Sequence, residues 1–205
     1  MNSIIFDVDG TLWDSTFVVA DAWNKIVKKE YDSHLSFTAD DLKAQFGKLL
    51  PDIARSIFPK LPNDEQLHLI DLCCLQEHTD LLANPPALYD GMTESIQQLS
   101  KKNPLYIVSN CQAGYIEVFL KSTGLSGYFQ DHLCPGDTGL AKADNIREIV
   151  RRHRLTDAVY LGDTMGDYTA TKEAGLPFIF ASYGFGKVPT PDYTIDRPLD
   201  LLKLF

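Results

Sequence analysis

Short apolar runs recur along this chain, each closing on polar residues, with helical spacing in most of the gaps between them. Residues 3–6, 105–108, 158–161 and 177–181 are runs of this kind, short for a helix and apolar on both faces. Strands buried on both faces belong in a parallel sheet covered by helices on each side. The spacing predicts helices over 93–101, 114–122, 143–152 and 168–174, with a weaker strand or loop around 128–133. The fold class expected is therefore α/β, a Rossmann-like parallel sheet.

One stretch interrupts the alternation. After the first run only helical signals occur until about residue 83: apolar spacing from Phe17 to Val27, Thr38 as cap of a helix beginning at Ala39, Pro51 in a first turn, and Asn63 opening a long helix through Leu67, Ile70, Cys74 and Leu81. The organisation expected is a core of residues 1–14 and 84–205 with an all-helical insert at 15–83. A chain of 205 residues, 44% hydrophobic, can bury such a core without disulfides. Cys73, Cys74, Cys111 and Cys134 show no Cys-x-x-Cys pairing and read as reduced thiols, and the five histidines lack zinc spacing. With 19 Lys and Arg against 28 Asp and Glu the net charge is −9, which repels a nucleic-acid backbone. No apolar run reaches the roughly 20 residues of a membrane span, and the apolar residues after Met1 lack a basic flank, so a cytoplasmic location is expected. Oligomeric state is not legible.

Ligands of such sheets bind outside the carboxyl ends of the strands. The polar residues there are Asp7, Asp9, Gly10 and Thr11 after the first run, Ser109 and Asn110 after the second, and Gly162, Asp163 and Asp167 after the third. Asp7 and Asp9 share one side of an extended strand end, and Gly10 lets the chain turn sharply behind them. Carboxylates gathered this closely repel one another unless a hard cation compensates them, and Mg²⁺ is the natural candidate. With the charge offset, one carboxylate can attack phosphorus while its neighbour protonates the leaving oxygen.

DVDGT at 7–11, the run ending in Ser109, Lys142, and GDTMGD at 162–167 resemble, in order, the four motifs of the haloacid dehalogenase-like superfamily. The resemblance implies a Mg²⁺-dependent phosphotransfer on an aspartate and a helical cap in the place of the insert. By that resemblance Asp7 is the nucleophile, Asp9 the general acid and base, and Lys142 the cation beside Asp7. Ser109 holds the phosphoryl group, while Asp7, Asp163, Asp167 and the backbone carbonyl of Asp9 surround the metal. Thr11 and Asn110 are further candidates on the substrate side.

The dehalogenase branch lacks the second aspartate that Asp9 supplies, and Lys43 and Lys48 read as surface lysines rather than the Schiff-base lysine of a phosphonatase. The stretch 46–51 resembles the specificity loop of phosphoglycolate phosphatase-like members, placing Lys48 to meet an anionic substrate, and 183–186 is expected near the site entrance. The activity implied is that of a phosphatase acting on a small phosphorylated metabolite. The rivals are a sugar phosphomutase of the β-phosphoglucomutase kind, using the same Asp7 and Asp9, and a binding module that kept the fold and lost turnover.

Overall fold

The computed structural model describes residues 2–205. Six strands, β1 (Ser3–Phe6), β2 (Leu105–Val108), β3 (Phe129–Leu133), β4 (Ala158–Gly162), β5 (Phe178–Ala181) and β6 (Tyr193–Ile195), form one sheet in the order β3-β2-β1-β4-β5-β6. Every neighbouring pair is parallel, with Ile4 of β1 opposite Leu105 of β2 on one side and Val159 of β4 on the other. The chain leaves β1 for β2 and β3, then crosses back to β4, β5 and β6. The order reverses between β1 and β4, where such sheets open a crevice for ligands.

Period-two alternation sends the strand side chains to two cores. Ile5, Tyr106, Val108, Tyr160, Phe178 and Phe180 face one side, covered by Ile146 and Ile149 of α8 (Lys142–His153) and Ala170 of α9 (Met165–Ala174). Ile4, Phe6, Leu105, Ile107, Val159 and Leu161 face the other. There α5 (Met92–Leu99) and α6 (Tyr115–Thr123) cover them with Met92, Ile96, Ile116 and Phe119. Helix α6 ends at Gly124, which takes the left-handed conformation that a side chain would strain.

Four helices lie between β1 and α5: α1 (Thr16–Glu30), α2 (Ala39–Lys43), α3 (Leu50–Ile57) and α4 (Asn63–Ala83). Thr38 and Asp41 close a reciprocal capping box on α2, and Pro51 lies in the first turn of α3, where its missing N–H costs nothing. Helices α1 and α4 pack together through Val19, Trp23, Ile70, Cys73 and Leu81, and Lys25 pairs with Asp80 at 2.7 Å. Their apolar residues join the second sheet-face core through Leu12 and Trp13, whose indole meets Phe119 edge-on at 4.9 Å.

Of the two alternatives open for 128–133 the structure takes the strand, β3, at the sheet edge, and other elements depart from the sequence reading. Strand β6 escaped notice because two of its three residues are exposed and Pro189 and Pro191 precede it. The helix α7 (Pro135–Thr138) and the 3₁₀ turn Pro198–Lys203 are too short to show a period. Helix α9 begins at Met165, earlier than its apolar spacing suggests, because Thr164 and Asp167 form a second capping box. All four cysteines are buried and unpaired, and among the described residues no helix is long and apolar enough to cross a membrane.

The fully buried Phe119 ties Trp13 to the sheet-face core. Phe119→Ala should therefore cost about 3–5 kcal/mol of unfolding free energy, read as a lowered urea midpoint at unchanged slope. A loss under about 1 kcal/mol would mean that this junction bears no packing load.

Candidate active site

Asp7 is the first residue past β1, and its N–H still donates to Leu161 O of β4 at 2.9 Å, which fixes it at the crevice. Lys142 opens α8 and sends its side chain inward, donating to Asp7 Oδ1 at 2.9 Å and to Asp167 Oδ1 at 2.5 Å. Asp167 Oδ2 accepts from the N–H and hydroxyl of Thr164 at 2.9 and 2.7 Å, so the capping box that starts α9 also aims this carboxylate. Asp163 follows β4 and accepts from Thr11 Oγ1 at 3.2 Å and from Phe185 N at 2.7 Å. Asp7, Asp163 and Asp167 are buried and each bring one carboxylate oxygen within 4.8 Å of the others.

Burial pushes the Asp7 carboxyl above its ordinary range, Lys142 pulls it back, and Asp167 pushes it up again. Asp163 is likewise raised, by burial first and then by repulsion from Asp167 and Asp7. Burial works against the Lys142 ammonium, but Asp167 and Asp7 outweigh it and keep the amine firmly charged. One ammonium against three carboxylates leaves a deficit of positive charge in an all-oxygen donor set. That set fits a hard divalent cation such as Mg²⁺.

Asp9 stands apart from this trio. Trp13 Nε1 at 3.0 Å, Ser15 Oγ at 2.5 Å and Tyr115 OH at 2.7 Å all donate to its Oδ1. Burial raises its carboxyl to about 6 although the three donors favour the ionised form. The other oxygen, Oδ2, has no protein partner among the described residues. A carboxyl anchored by one oxygen and poised near neutrality is suited to passing a proton through the other.

A chamber of about 30 Å³ lies over these groups. Asp7, Asp9, Ser109 and Asn110 line its sheet side, and Phe46, Gly47, Lys48, Ile53 and Glu77 come from the helical segment. Ser109 Oγ has no protein partner among the described residues. Asn110 Nδ2 donates to Gly47 O at 2.8 Å across the seam, so it holds the loop as well as lining the chamber. Of the stretch 46–51 only 46–49 is a loop, since α3 begins at Leu50; Phe46, Gly47, Lys48 and Leu50 line the chamber, with Phe46 against Phe185 at 6.2 Å. Lys48 reaches the rim, where its exposed ammonium donates to Gln45 Oε1 at 3.1 Å. Thr11, expected on the substrate side, is fully buried with its hydroxyl on Asp163, because the turn at Gly10 folds it behind the carboxylate. The segment 183–186 sits under the site: Phe185 N holds Asp163, and a Cβ on Gly184 would collide with the same residue.

Five residues of this environment were not singled out from the sequence: Trp13, Ser15, Tyr115, Glu77 and Gln112. Trp13 and Ser15 follow the DVDGT motif within one turn, a proximity that was available to read. Tyr115 and Gln112 meet Asp9 and Glu77 only through long-range folding. Glu77 carried a visible signal, a carboxylate in register with the buried face of α4. Trp23 Nε1 donates to it at 2.7 Å and Gln112 Nε2 at 2.8 Å.

A family model described as haloacid dehalogenase-like hydrolase matches residues 4–181. The phosphoglycolate phosphatase of Aquifex aeolicus is 29% identical over 218 aligned positions, covering 100% of this chain and 96% of that protein. The phosphoglycolate phosphatase of Rhodobacter capsulatus is 27% identical over 195 positions, covering 91% and 87%. Among solved structures, a haloacid dehalogenase-like family hydrolase from Streptococcus pneumoniae superposes with a TM-score of 0.86 at 23% identity, covering 100% of this chain and 98% of that one, a likeness of fold.

Two outcomes follow from the geometry. Gly10 has φ +79° and a Cβ there would strike the Asp163 carboxylate, so Gly10→Ala should lower unfolding free energy by about 2 kcal/mol or more; an unchanged urea midpoint would show that the turn tolerates a side chain. Burial raises the Glu77 carboxyl from 4.5 to about 8. Between those values the folded chain keeps a proton that the unfolded chain has released, so stability falls as pH rises through that window. Glu77→Gln should remove this contribution, and its stability relative to the native chain should improve from pH ~5 to pH ~9. Parallel pH–stability curves for the two proteins would refute it.

Proposed function

The chain belongs to the haloacid dehalogenase-like hydrolase family, and from that premise we propose that it is a Mg²⁺-dependent phosphatase of small phosphorylated metabolites, working through an aspartyl phosphate on Asp7. The observation that carries this reading is the pairing of Asp7 with Lys142 at 2.9 Å under a chamber whose wall also holds Ser109 and Asp9. The curated relatives' name, phosphoglycolate phosphatase, supports the reaction class.

Lys142 occupies Asp7 Oδ1, which leaves Oδ2 to attack phosphorus. As the P–O bond to the leaving group breaks, its oxygen takes the proton from Asp9 Oδ2. The Ser109 hydroxyl and the Lys142 ammonium lie against the phosphoryl oxygens, where fixed positive charge and donors count most. Ionised Asp9 then accepts a proton from water, whose oxygen attacks the phosphorus, frees phosphate and restores the Asp7 carboxylate. Mg²⁺, held by Asp7, Asp163, Asp167 and the backbone carbonyl of Asp9, would supply the positive charge that lets the carboxylates ionise together and offsets the phosphoryl charge.

We read residues 15–83 as a mobile cap on a core of 1–14 and 84–205. The chamber of about 30 Å³ has room for little more than a water and adjoins a cavity of about 530 Å³ that shares Leu50, Asn110 and Cys111 with it, and lifting of the helices would join the two into a space for a phosphate ester. Both connections run side by side, with Tyr89 N donating to Leu12 O at 3.1 Å, a paired strap about which the cap can turn. Four buried, unpaired cysteines fit a reducing cytoplasm.

Asp7→Asn should lower turnover of p-nitrophenyl phosphate by about 10³-fold or more with an unchanged melting temperature. EDTA should abolish native activity and added Mg²⁺ restore it. Near-native turnover by Asp7→Asn would sink the covalent mechanism, and full activity in excess EDTA would sink the metal. Conversion of β-glucose phosphate without phosphate release would move the reaction to a phosphomutase.

A further inference from the structure

Glu77 breaks the pattern of its own helix. The buried face of α4 carries Leu69, Ile70, Cys73, Cys74 and Leu81 after Gln66, whose amide is spent on the Phe58 and Leu61 carbonyls, and Glu77 stands in that row with 4% of its surface exposed. A methionine would fill the space with no polar group to desolvate, whereas a carboxyl there loses its hydration whether it ionises or keeps its proton. No cation does: among the described residues its partners are Trp23 on Oε2 and Gln112 on Oε1. These two donors leave acceptor positions unused on both oxygens. The side chain forms part of the chamber wall that also includes Asp7, Asp9 and Ser109. A polar group retained at a packing cost, facing a reaction chamber, is the kind of local conflict that function explains and stability does not.

Phosphoryl transfer places the leaving group roughly in line with and opposite the attacking oxygen. With Asp7 attacking from the strand end, the leaving group extends towards the helical segment, where Glu77 is fixed from the α1 side by Trp23 and from the sheet side by Gln112. We propose that Glu77 is the specificity residue for the leaving group and that it recognises a hydroxyl, so that the substrate is a phosphate monoester of a small polyol. This assignment rests on the phosphatase reading and narrows it. A hydroxyl is the group that satisfies either form of a buried carboxyl, donating to the carboxylate and accepting from the acid. An ammonium pairs with the ionised form alone. A carboxylate bonds with the protonated form alone and also meets the field of Asp9.

A matched set of esters separates these cases: the monophosphates of ethylene glycol, ethanol and ethanolamine, with phosphoglycolate, differ only in the group that would face Glu77. The native enzyme should prefer ethylene glycol monophosphate to ethyl phosphate by roughly 10-fold in kcat/KM, the size of one hydrogen bond made to a charged or buried group. Glu77→Met should bring that ratio to about one, through a loss on ethylene glycol monophosphate that ethyl phosphate does not share, and Glu77→Gln, which can still bond a hydroxyl, should retain part of the preference. A native preference for phosphoglycolate or for the ethanolamine ester would overturn the assignment. So would an equal loss on all substrates in Glu77→Met, which marks a purely structural residue. Should Glu77→Met not fold, the native ranking and the Glu77→Gln ratio decide. Hydrolysis of p-nitrophenyl phosphate without any ranking of the four esters refutes the hydroxyl assignment alone; inertness towards all five substrates removes the phosphatase reading and this one with it.

Discussion

Three carboxylates, two just past the adjacent strands β1 and β4 and one in the first turn of α9, are buried together and repel one another, and the Lys142 ammonium between Asp7 and Asp167 offsets that repulsion. At low effective dielectric the repulsion between such charges far exceeds that of a surface cluster, and it grows with each group ionised. One buried ammonium offsets part of it. The remainder raises Asp7 and Asp163 and leaves the cluster receptive to a divalent cation, so the demand for folding and the capacity for metal binding are the same electrostatic fact.

The neighbouring backbone is arranged around that cluster. Helix α8 starts at Lys142, which lets the first side chain of the helix point back into the crevice, and α9 starts where Thr164 and Asp167 cap each other. Gly10 and Gly184 leave no Cβ where Asp163 needs the room, and Phe185 N holds its second oxygen. These contacts are buried, and they hold the group of charges in one fixed geometry, which is what electrostatic catalysis requires. Asp9 is treated differently: three donors on one oxygen hold it in place without a counter-ion, and burial keeps it near neutrality. Two carboxyl groups two residues apart are thus both raised by burial, but Asp7 faces an ammonium while Asp9 faces only neutral donors.

The helical segment adds the wall that the sheet lacks. Its apolar face continues the sheet-face core through Trp13, while around the chamber it meets the sheet side through hydrogen bonds, Asn110 to Gly47 and Gln112 to Glu77 and His78, beside one aromatic contact, Phe46 to Phe185. A seam of this kind separates at lower cost than packed apolar surface does, since water can replace each hydrogen bond.

The sequence by itself determined the layered architecture, because four apolar runs buried on both faces admit little other than a helix-covered parallel sheet, and it marked the candidate polar groups, because Asp7, Asp9, Ser109 and Asp163 follow strand ends while Lys142 and Asp167 lie in the first turns of later helices. It also marked the helical segment, whose caps at Thr38 and Pro51 are local and readable. Only the tertiary structure decided which partners those groups have. Thr11 turned from the substrate side to Asp163, Tyr115 arrived at Asp9 from 106 residues away, and Glu77 met Gln112 across 35. Strand β6, short and half exposed, was decided by the open edge of β5 rather than by its own pattern. The reason is common to all of these: periodicity records which face of an element is buried, while the identity of a hydrogen-bond partner and the desolvation that tunes a carboxyl depend on which elements the completed fold brings together.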